Sequence, residues 1–440
     1  MPTPSGTIDL HNNDVSIRNY IFNCASAILK KRCAHQIDTP VIELMSTVNT
    51  LYGGDFNKLV YSLNDGNTTN LNNNLLLRYD LTVPFARYIG DYGLDKFKRF
   101  QYGKVYRRDT PQLNKGRYRE FFQLDYDIAG NDQGSHVNDL EMLETLSELL
   151  DTIIGKTKYT VKINHKDIVV NMLNELGIPE DNHPDVFIAI DKLDKKPFSD
   201  ITEELSKHIS QCCIDKLENK YNLFASNPDN LTDLMNLPEN NYITTIFSVL
   251  KRLNIDNYIF DPFLIRGMQY YTGIIYEVVY NDKDVISSSI AAGGRYDDMI
   301  ETFSNKGNIP AIGLSLGVDR IVKIIEHQQN LPISITENIP QIYVASVGKN
   351  MEIERSILCA ELRRMNYSVI TSDLPNPNMK DQLVHVLTKY SNVIPVMIII
   401  GGNEIQNNVI SIKNINVNKQ IVVNRVNEQM REVIDNILQQ

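Results

Sequence analysis

Between residues 96 and 120 the chain carries nine Lys and Arg (Lys96, Lys98, Arg99, Lys104, Arg107, Arg108, Lys115, Arg117, Arg119) against two acids, Asp109 and Glu120. In a 440-residue protein of net charge -10 such a strip reads as a concentrated anion-facing surface. The competing account is a solvated strand face. Interleaved Phe100, Tyr102, Tyr106 and Tyr118 require alternate residues to point inward, leaving about half of the cations for solvent.

Just downstream, "QLDYD" places Gln123, Asp125 and Asp127 on one strand face by period-two alternation. With Asp80 and Thr82 on a neighbouring strand-like segment, a row of amide and carboxylates can hold an ammonium and an imidazole N–H; an exposed strand is the plainer alternative. "AAGGRYDD" (291–298) would let backbone approach a ligand closely, or simply turn. "RGMQYYTG" (266–273) sets Arg266, Gln269, Tyr270 and Tyr271 between glycines. Finally, "GLSLG" (313–317) fits a nucleophile elbow with His327 or His385 as base, and fits equally well a close helix–sheet packing. Arg320, just past it, is then a helix cation aimed at an anion or into solvent.

The elements that must position these residues are legible in outline. Ile17, Ile21, Ala25 and Ile28 recur at helical spacing within residues 15–34. "IDTPVIEL" reads as a strand opened by Pro40, and residues 52–83 as two strands joined by an Asp/Gly/Asn-rich connection. Two more strands flank a Pro/Asn/Gly loop within 96–130, followed by the amphipathic helix of "NDLEMLETLSELLDTII". Hairpins followed by helices indicate an α+β domain over residues 1–330, interrupted by a helical insertion at about 165–255. A polar, proline-bearing linker at 331–340 leads to a small α/β domain over 341–440, read as three strands alternating with helices and closed by a helix from about 426.

Five cysteines, an odd number without a CxxC pair or zinc-like His spacing, predict reduced thiols. The first nineteen residues carry two aspartates and no apolar core, fitting neither a secretory signal nor a transit peptide. The apolar run "VIPVMIII" is far too short for a membrane span, so the expectation is a cytoplasmic protein with no membrane partner.

Taken in order, these segments resemble the histidyl-tRNA synthetase family of the eukaryotic and archaeal kind. "IDTPVIEL" resembles its motif 1, "LRYDLTVPFARY" a histidine-binding block, and "VYRRDTPQLNKGRYREFFQLDYDIAG" motif 2 with its loop. "RGMQYYTG" and "AAGGRYDD" are similar to histidine-specific blocks, and "IGLSLGVDRI" to motif 3. The resemblance implies a class II catalytic core built on six antiparallel strands, a helical insertion and a C-terminal anticodon-binding domain. It also implies a homodimer assembled through motif 1, with Pro40 at the interface. The implied reaction joins L-histidine to ATP, giving histidyl-adenylate and pyrophosphate, and then charges tRNA(His). Mg²⁺ is implied on the ATP phosphates, with no metal held by protein ligands alone.

By the same resemblance Arg107 and Arg266 are the catalytic pair, flanking the α-phosphate and the histidine carboxylate. Arg107, Asp109, Arg117 and Arg320 bind ATP, Asp109 near the adenine and Arg320 at the γ-phosphate. Asp80, Thr82 and Gln123 receive the α-ammonium, Asp127 and Tyr271 bracket the imidazole, and Leu81, Tyr270 and Tyr296 complete the histidine set. The family usually has Asp where this chain has Gln269; strand alternation would put that amide on the side of Tyr271, as a partner that orients it. Two other classes fit parts of the pattern: a non-catalytic synthetase-like regulatory protein, and a plain RNA-binding protein using the basic strip.

Overall fold

The computed structural model describes residues 2–52, 59–63, 75–108, 110–130, 136–194, 196–226, 241–267, 270–304, 307–328, 340–390 and 394–439. The chain divides into two compact units, Met1–Leu331 and Pro332–Gln440. Among the described residues no helix is long and apolar enough to cross a membrane.

The first unit is built on a sheet of eight strands. In chain order these are β1 (His35–Gln36), β5 (Phe97–Tyr106), β6 (Glu120–Ala129), β7 (Tyr159–His165), β8 (Tyr258–Phe260), β9 (Ile274–Tyr280), β10 (Ala291–Arg295) and β11 (Ala311–Gly317). Their spatial order is β1-β5-β6-β11-β10-β9-β7-β8. The six central strands are antiparallel throughout, and each edge is extended by a short parallel strand, β1 on β5 and β8 on β7. The intervening numbers belong to a separate three-stranded sheet of β2 (Ile42–Leu44), β3 (Tyr61–Leu63) and β4 (Leu75–Leu77).

Alternation gives the large sheet two different faces. On one, Phe100, Leu124, Tyr126, Ile128, Leu314 and Leu316 are buried beneath the helices Asn12–Lys31, Val137–Ile153 and Val318–His327. The helical spacing read from residues 15–34 is the buried stripe of the first of these: Ile17, Ile21 and Ala25 are fully buried and Ile28 nearly so. Each such side chain contributes about 1.5–3 kcal/mol of burial. Phe22 stacks on Tyr102 with ring centroids 4.1 Å apart, fastening that helix to the sheet. The opposite face carries Arg99, Gln101, Gly103, Gln123, Asp125 and Asp127 side by side in register.

The segment after β4 departs from expectation. Thr82 does not lie on a strand; it opens the helix Thr82–Tyr92. The Asp80 carboxylate accepts a hydrogen bond from Val83 N at 3.1 Å, capping the free N–H groups of the first turn. Pro84 falls in that turn, where its missing N–H does no harm, and Gly93 ends the helix in the left-handed region at φ 59. "LTV" is apolar enough to read as strand, but the cap and the terminating glycine decide for helix. The connection 64–74 of the expected hairpin lies outside the described residues, while β3 and β4 pair antiparallel.

Helices from Lys166–Glu175 to Tyr242–Arg252 lie between β7 and β8 in the chain. The second unit holds β12 (Ile342–Val347), β13 (Val369–Thr371), β14 (Val396–Gly401), β15 (Val409–Asn414) and β16 (Lys419–Asn424) in the order β13-β12-β14-β15-β16. The first three are parallel; the hairpin β15–β16 was missing from the sequence reading, though Ile410 and Ile412 alternate with Ser411 and Lys413. Asn418, at φ 52, makes its turn.

Gly90 lies against the carbonyl of Phe303, which a Cβ would strike. Alanine would gain about 1 kcal/mol in helix propensity, yet overpacking against fixed backbone costs about 1–3 kcal/mol. Gly90→Ala should therefore lower the thermal midpoint in a melting experiment, and a stabilised variant would show that the helix opened by Thr82 can shift freely.

Candidate active site

The polar face of the sheet is organised by one buried cation. Arg99 is fully buried, and its Nη2 lies 2.6 Å from the Asp127 carboxylate and 3.7 Å from that of Asp125. The same nitrogen donates to the Leu81 carbonyl at 2.9 Å, and the guanidinium sits 4.8 Å above the Phe85 ring. Tyr296, also buried, donates its hydroxyl to the other Asp127 oxygen. Gly313 pairs with Asp127 across β6 and β11, and a Cβ there would land on the carboxylate. Gly103 likewise leaves room for the buried Arg78 guanidinium, which donates to the Lys104 and Thr39 carbonyls at 2.8 and 2.7 Å.

Two carboxyls thus share one guanidinium, and a proton is favoured on one of them. Burial pushes Asp125 up to about 7 against the pull of Arg99, with the Asp127 charge adding to the rise. Asp127 is also raised by burial, opposed by Arg99 and by Tyr296. Asp125, at the longer distance from the cation, is the better site for the shared proton. One step along β6, Gln123 Nε2 donates to the Ser315 hydroxyl at 2.7 Å. The exposed-strand account of "QLDYD" is therefore excluded, since Gln123, Asp125 and Asp127 are all buried.

A cleft opens on this face, lined by Asp80, Thr82, Asp127, Tyr270, Tyr271 and Tyr296 together with backbone of β10 and β11. The tyrosine pair does not follow strand alternation. Tyr270 N and Tyr271 N both donate to the Gly267 carbonyl, at 3.1 and 3.0 Å, so the chain turns here, with Gly267 at φ 64. The two rings lie 4.4 Å apart, and Tyr271 reaches 2.9 Å from where a Cβ on Gly294 would be. Gln269 and Asp109 lie outside the described residues.

Arg107, Arg266 and Arg320 are not among the residues that line this cleft, and each is held by partners of its own. Arg107 donates from Nε to the Tyr79 carbonyl at 3.2 Å, and its guanidinium stacks 4.2 Å from the Tyr79 ring and 5.2 Å from Phe121. Arg266 pairs at 3.2 Å with Glu277, a buried carboxylate of β9, and lies 3.9 Å from Asp191 of the insertion. Arg320 donates to the Ser289 carbonyl, and a Cβ on Gly116 of the 107–119 loop would lie 3.3 Å from its Cα. Arg117 in that loop pairs its backbone with Gln112. Pro40 is exposed, away from the cleft.

One expectation is corrected and one alternative is excluded. The basic strip is not one anion-facing surface: Arg99 is spent on Asp127, and Lys98 and Lys104 each pair with a glutamate, Glu141 and Glu120, at 2.6 Å. The elbow reading of "GLSLG" fails because Ser315 lies within β11, not on a strand-to-helix turn, and accepts a hydrogen bond from Gln123. The sequence reading missed the role of Arg99, although its register with Asp127 across a hairpin was within reach of the same alternation.

Six antiparallel strands with helices on one face and a polar cleft on the other, followed in the chain by an α/β unit, define a class II aminoacyl-tRNA synthetase core. The histidyl-tRNA synthetase family model matches residues 6–321, and the chain belongs to that family. It is 34% identical over 99% of its length to the cytoplasmic histidine–tRNA ligase of Dictyostelium discoideum, covering 92% of that protein. It is 34% identical to the human mitochondrial histidine–tRNA ligase, over 97% of this chain and 86% of the relative. In fold it is similar to the crystal structure of histidyl-tRNA synthetase from Nostoc, with TM-score 0.73, 21% identity and coverage of 100% and 99%.

The raised Asp125 carboxyl has a signature in stability. An unfolded aspartate titrates near ~4, so between about 4 and about 7 the folded state binds a proton that the unfolded state does not, and stability falls as pH rises through that window. Asp125→Asn, which cannot ionise, should lose less thermal stability than the native protein across this range. Melting curves that stay parallel from acid to neutral pH would show that Asp125 is ionised throughout.

Proposed function

We propose that this chain is a histidine–tRNA ligase, which activates L-histidine with ATP and transfers it to the 3′ end of tRNA(His). The observation that carries the site assignment is the convergence of Asp80, Thr82, Asp127, Tyr270, Tyr271 and Tyr296 on one cleft. The histidine ammonium is assigned to Asp80, Thr82 and Gln123, beside the Leu81 backbone, and the imidazole N–H groups to Asp127 and Tyr271. Tyr296 acts through Asp127, to which it donates. The Tyr270 hydroxyl is a donor at neutral pH already at its ordinary pKa, and burial shifts it further up.

Carboxylate attack on the α-phosphorus places growing negative charge on phosphoryl oxygens, which a planar, permanently charged guanidinium can hold in two-point contact. Arg107 and Arg266 are assigned to that task. Arg107 is held in plane by aromatic rings on two sides, and Arg266 is anchored by buried Glu277, so both are oriented before substrate arrives. Arg320, at the first turn of its helix, is assigned to the γ-phosphate, and Asp109 with Arg117 to the rest of ATP. Mg²⁺ is carried in this reading by the ATP phosphates, whose oxygens are the hard ligands it prefers.

Residues 1–330 are assigned to catalysis, with the insertion at about 165–255, and 341–440, after the linker 331–340, to the anticodon. A homodimer through the Pro40 segment accounts for the apolar surface at Val41, Ile42, Leu44 and Leu59, all at least 37% exposed in the single chain. The cytoplasm is the proposed compartment, as for the Dictyostelium relative; the mitochondrial human relative makes cell fractionation its test.

Histidine-dependent ATP/pyrophosphate exchange decides between this reading and a non-catalytic relative. Arg266→Ala should reduce exchange by about 10²- to 10³-fold, the usual loss for one preorganised donor, while circular dichroism stays native. Near-normal exchange would remove Arg266 from the catalytic pair. Asp127→Asn should raise the KM for histidine well above any change in the KM for ATP; equal rises would leave Asp127 a structural partner of Arg99.

A further inference from the structure

A second polar network lies beside the cleft, and it reaches from the insertion to the tyrosine turn. Tyr242, first residue of the insertion's helix Tyr242–Arg252, donates its hydroxyl to Asp139 Oδ2 at 2.6 Å. Asp139 is buried, and its other oxygen accepts from Arg295 Nε at 3.1 Å. Arg295 Nη1 donates to Asp297 Oδ1 at 3.2 Å. The second Asp297 oxygen accepts the Thr272 hydroxyl at 2.9 Å, and Asp297 N donates back to that hydroxyl at 3.0 Å. Thr272 N closes the circuit on the Arg295 carbonyl at 2.8 Å.

The two ends of this chain of bonds are informative. Thr272 follows Tyr271, so its three hydrogen bonds fix where the tyrosine turn meets β10. Tyr296 lies between Arg295 and Asp297, and it is the donor that orients Asp127. The insertion end is held by more than one bond: the Tyr242 ring packs 4.9 Å from His165 and 4.7 Å from His136, and Asn241 caps its helix by accepting from Ile243 N at 2.9 Å. An ordinary surface anchor would not need the buried carboxylate of Asp139.

We propose that Tyr242, Asp139, Arg295, Asp297 and Thr272 form a positioning relay through which the insertion sets the geometry of the histidine clamp, Tyr271 and Asp127. Tyr242 is thus a specificity-positioning residue supplied from outside the catalytic sheet, 103 residues along the chain from Asp139. It is not among the residues that line the cleft and acts on binding by holding Asp139 and, through Arg295, both flanks of Tyr296. The proposal rests on histidine as the ligand of the cleft.

Tyr242→Phe removes one hydroxyl and keeps the ring, so it tests the relay with little risk to folding. In the exchange assay it should raise the histidine KM about tenfold while the ATP KM and kcat change less than about twofold. Thr272→Val should do the same and Thr272→Ser should restore the native value. In the double variant Tyr242→Phe with Thr272→Val the effects should be far less than multiplicative, as for two breaks in one chain. An unchanged histidine KM in Tyr242→Phe, or simple multiplication in the double variant, would overturn the relay even if the melting temperature drops, because a merely structural tyrosine predicts that. Absence of histidine-dependent exchange in the native protein would overturn the histidine reading and the relay with it, a result distinct from an active enzyme indifferent to Tyr242.

Discussion

The fully buried ion pair of Arg99 with Asp127 is the constraint on which the site depends. Taking a guanidinium and a carboxylate out of water costs several kcal/mol for each ion, and only close contact with further donors and acceptors repays it. Elements flanking the sheet supply them: the Leu81 carbonyl and the Phe85 face at the start of the Thr82–Tyr92 helix on one side, and Tyr296 just past β10 on the other. Asp127 is therefore clamped at both oxygens before any ligand enters. Because Leu81 and Phe85 flank and open the Thr82–Tyr92 helix, the same pair also fixes the segment that carries Asp80 and Thr82.

A sheet can carry such a polar face only if its other face secures the fold. Here the burden falls on the helices over Phe100, Leu124, Tyr126 and Leu314, with Phe22 stacked on Tyr102. That division frees positions on the cleft side for small residues. Gly103 and Gly313 admit Arg78 and Asp127 where any Cβ would intrude, and Gly294 admits the Tyr271 ring. What reads in sequence as a glycine-rich turn, "AAGGR", is a strand whose missing side chains are the space of the site.

Local periodicity and motif order made much of this readable. The buried stripe of the first helix and the common face of Gln123, Asp125 and Asp127 follow from spacing alone. Features set by non-local contact did not follow. Thr82 reads as strand until the Asp80 cap is seen, and the Tyr270–Tyr271 pair reads as strand until both amides are found on Gly267. Arg99 looked like one more cation of a basic strip, because composition cannot tell a charge facing solvent from one facing a carboxylate on the next strand. The β15–β16 hairpin was lost among Asn-rich residues that resemble loop, although its alternation was present.

Under the proposed assignment of Asp127 to the imidazole, its clamp also bears on how the pocket would reject other amino acids. An ionised carboxylate has about four lone-pair sites, and Arg99 and Tyr296 occupy one oxygen each, so acceptor capacity is left for an imidazole N–H. A ligand side chain without that N–H leaves the capacity unfilled in a site already shut off from water. Sites built to hydrogen-bond their substrate can discriminate by about 10⁴–10⁵ for this reason. The penalty is large only if Asp127 cannot turn away to find another donor. Its attachment to a buried guanidinium, with Gly313 opposite it in the sheet, restricts that freedom, so in the proposed assignment the ion pair at the centre of the polar face is also what would make the pocket selective.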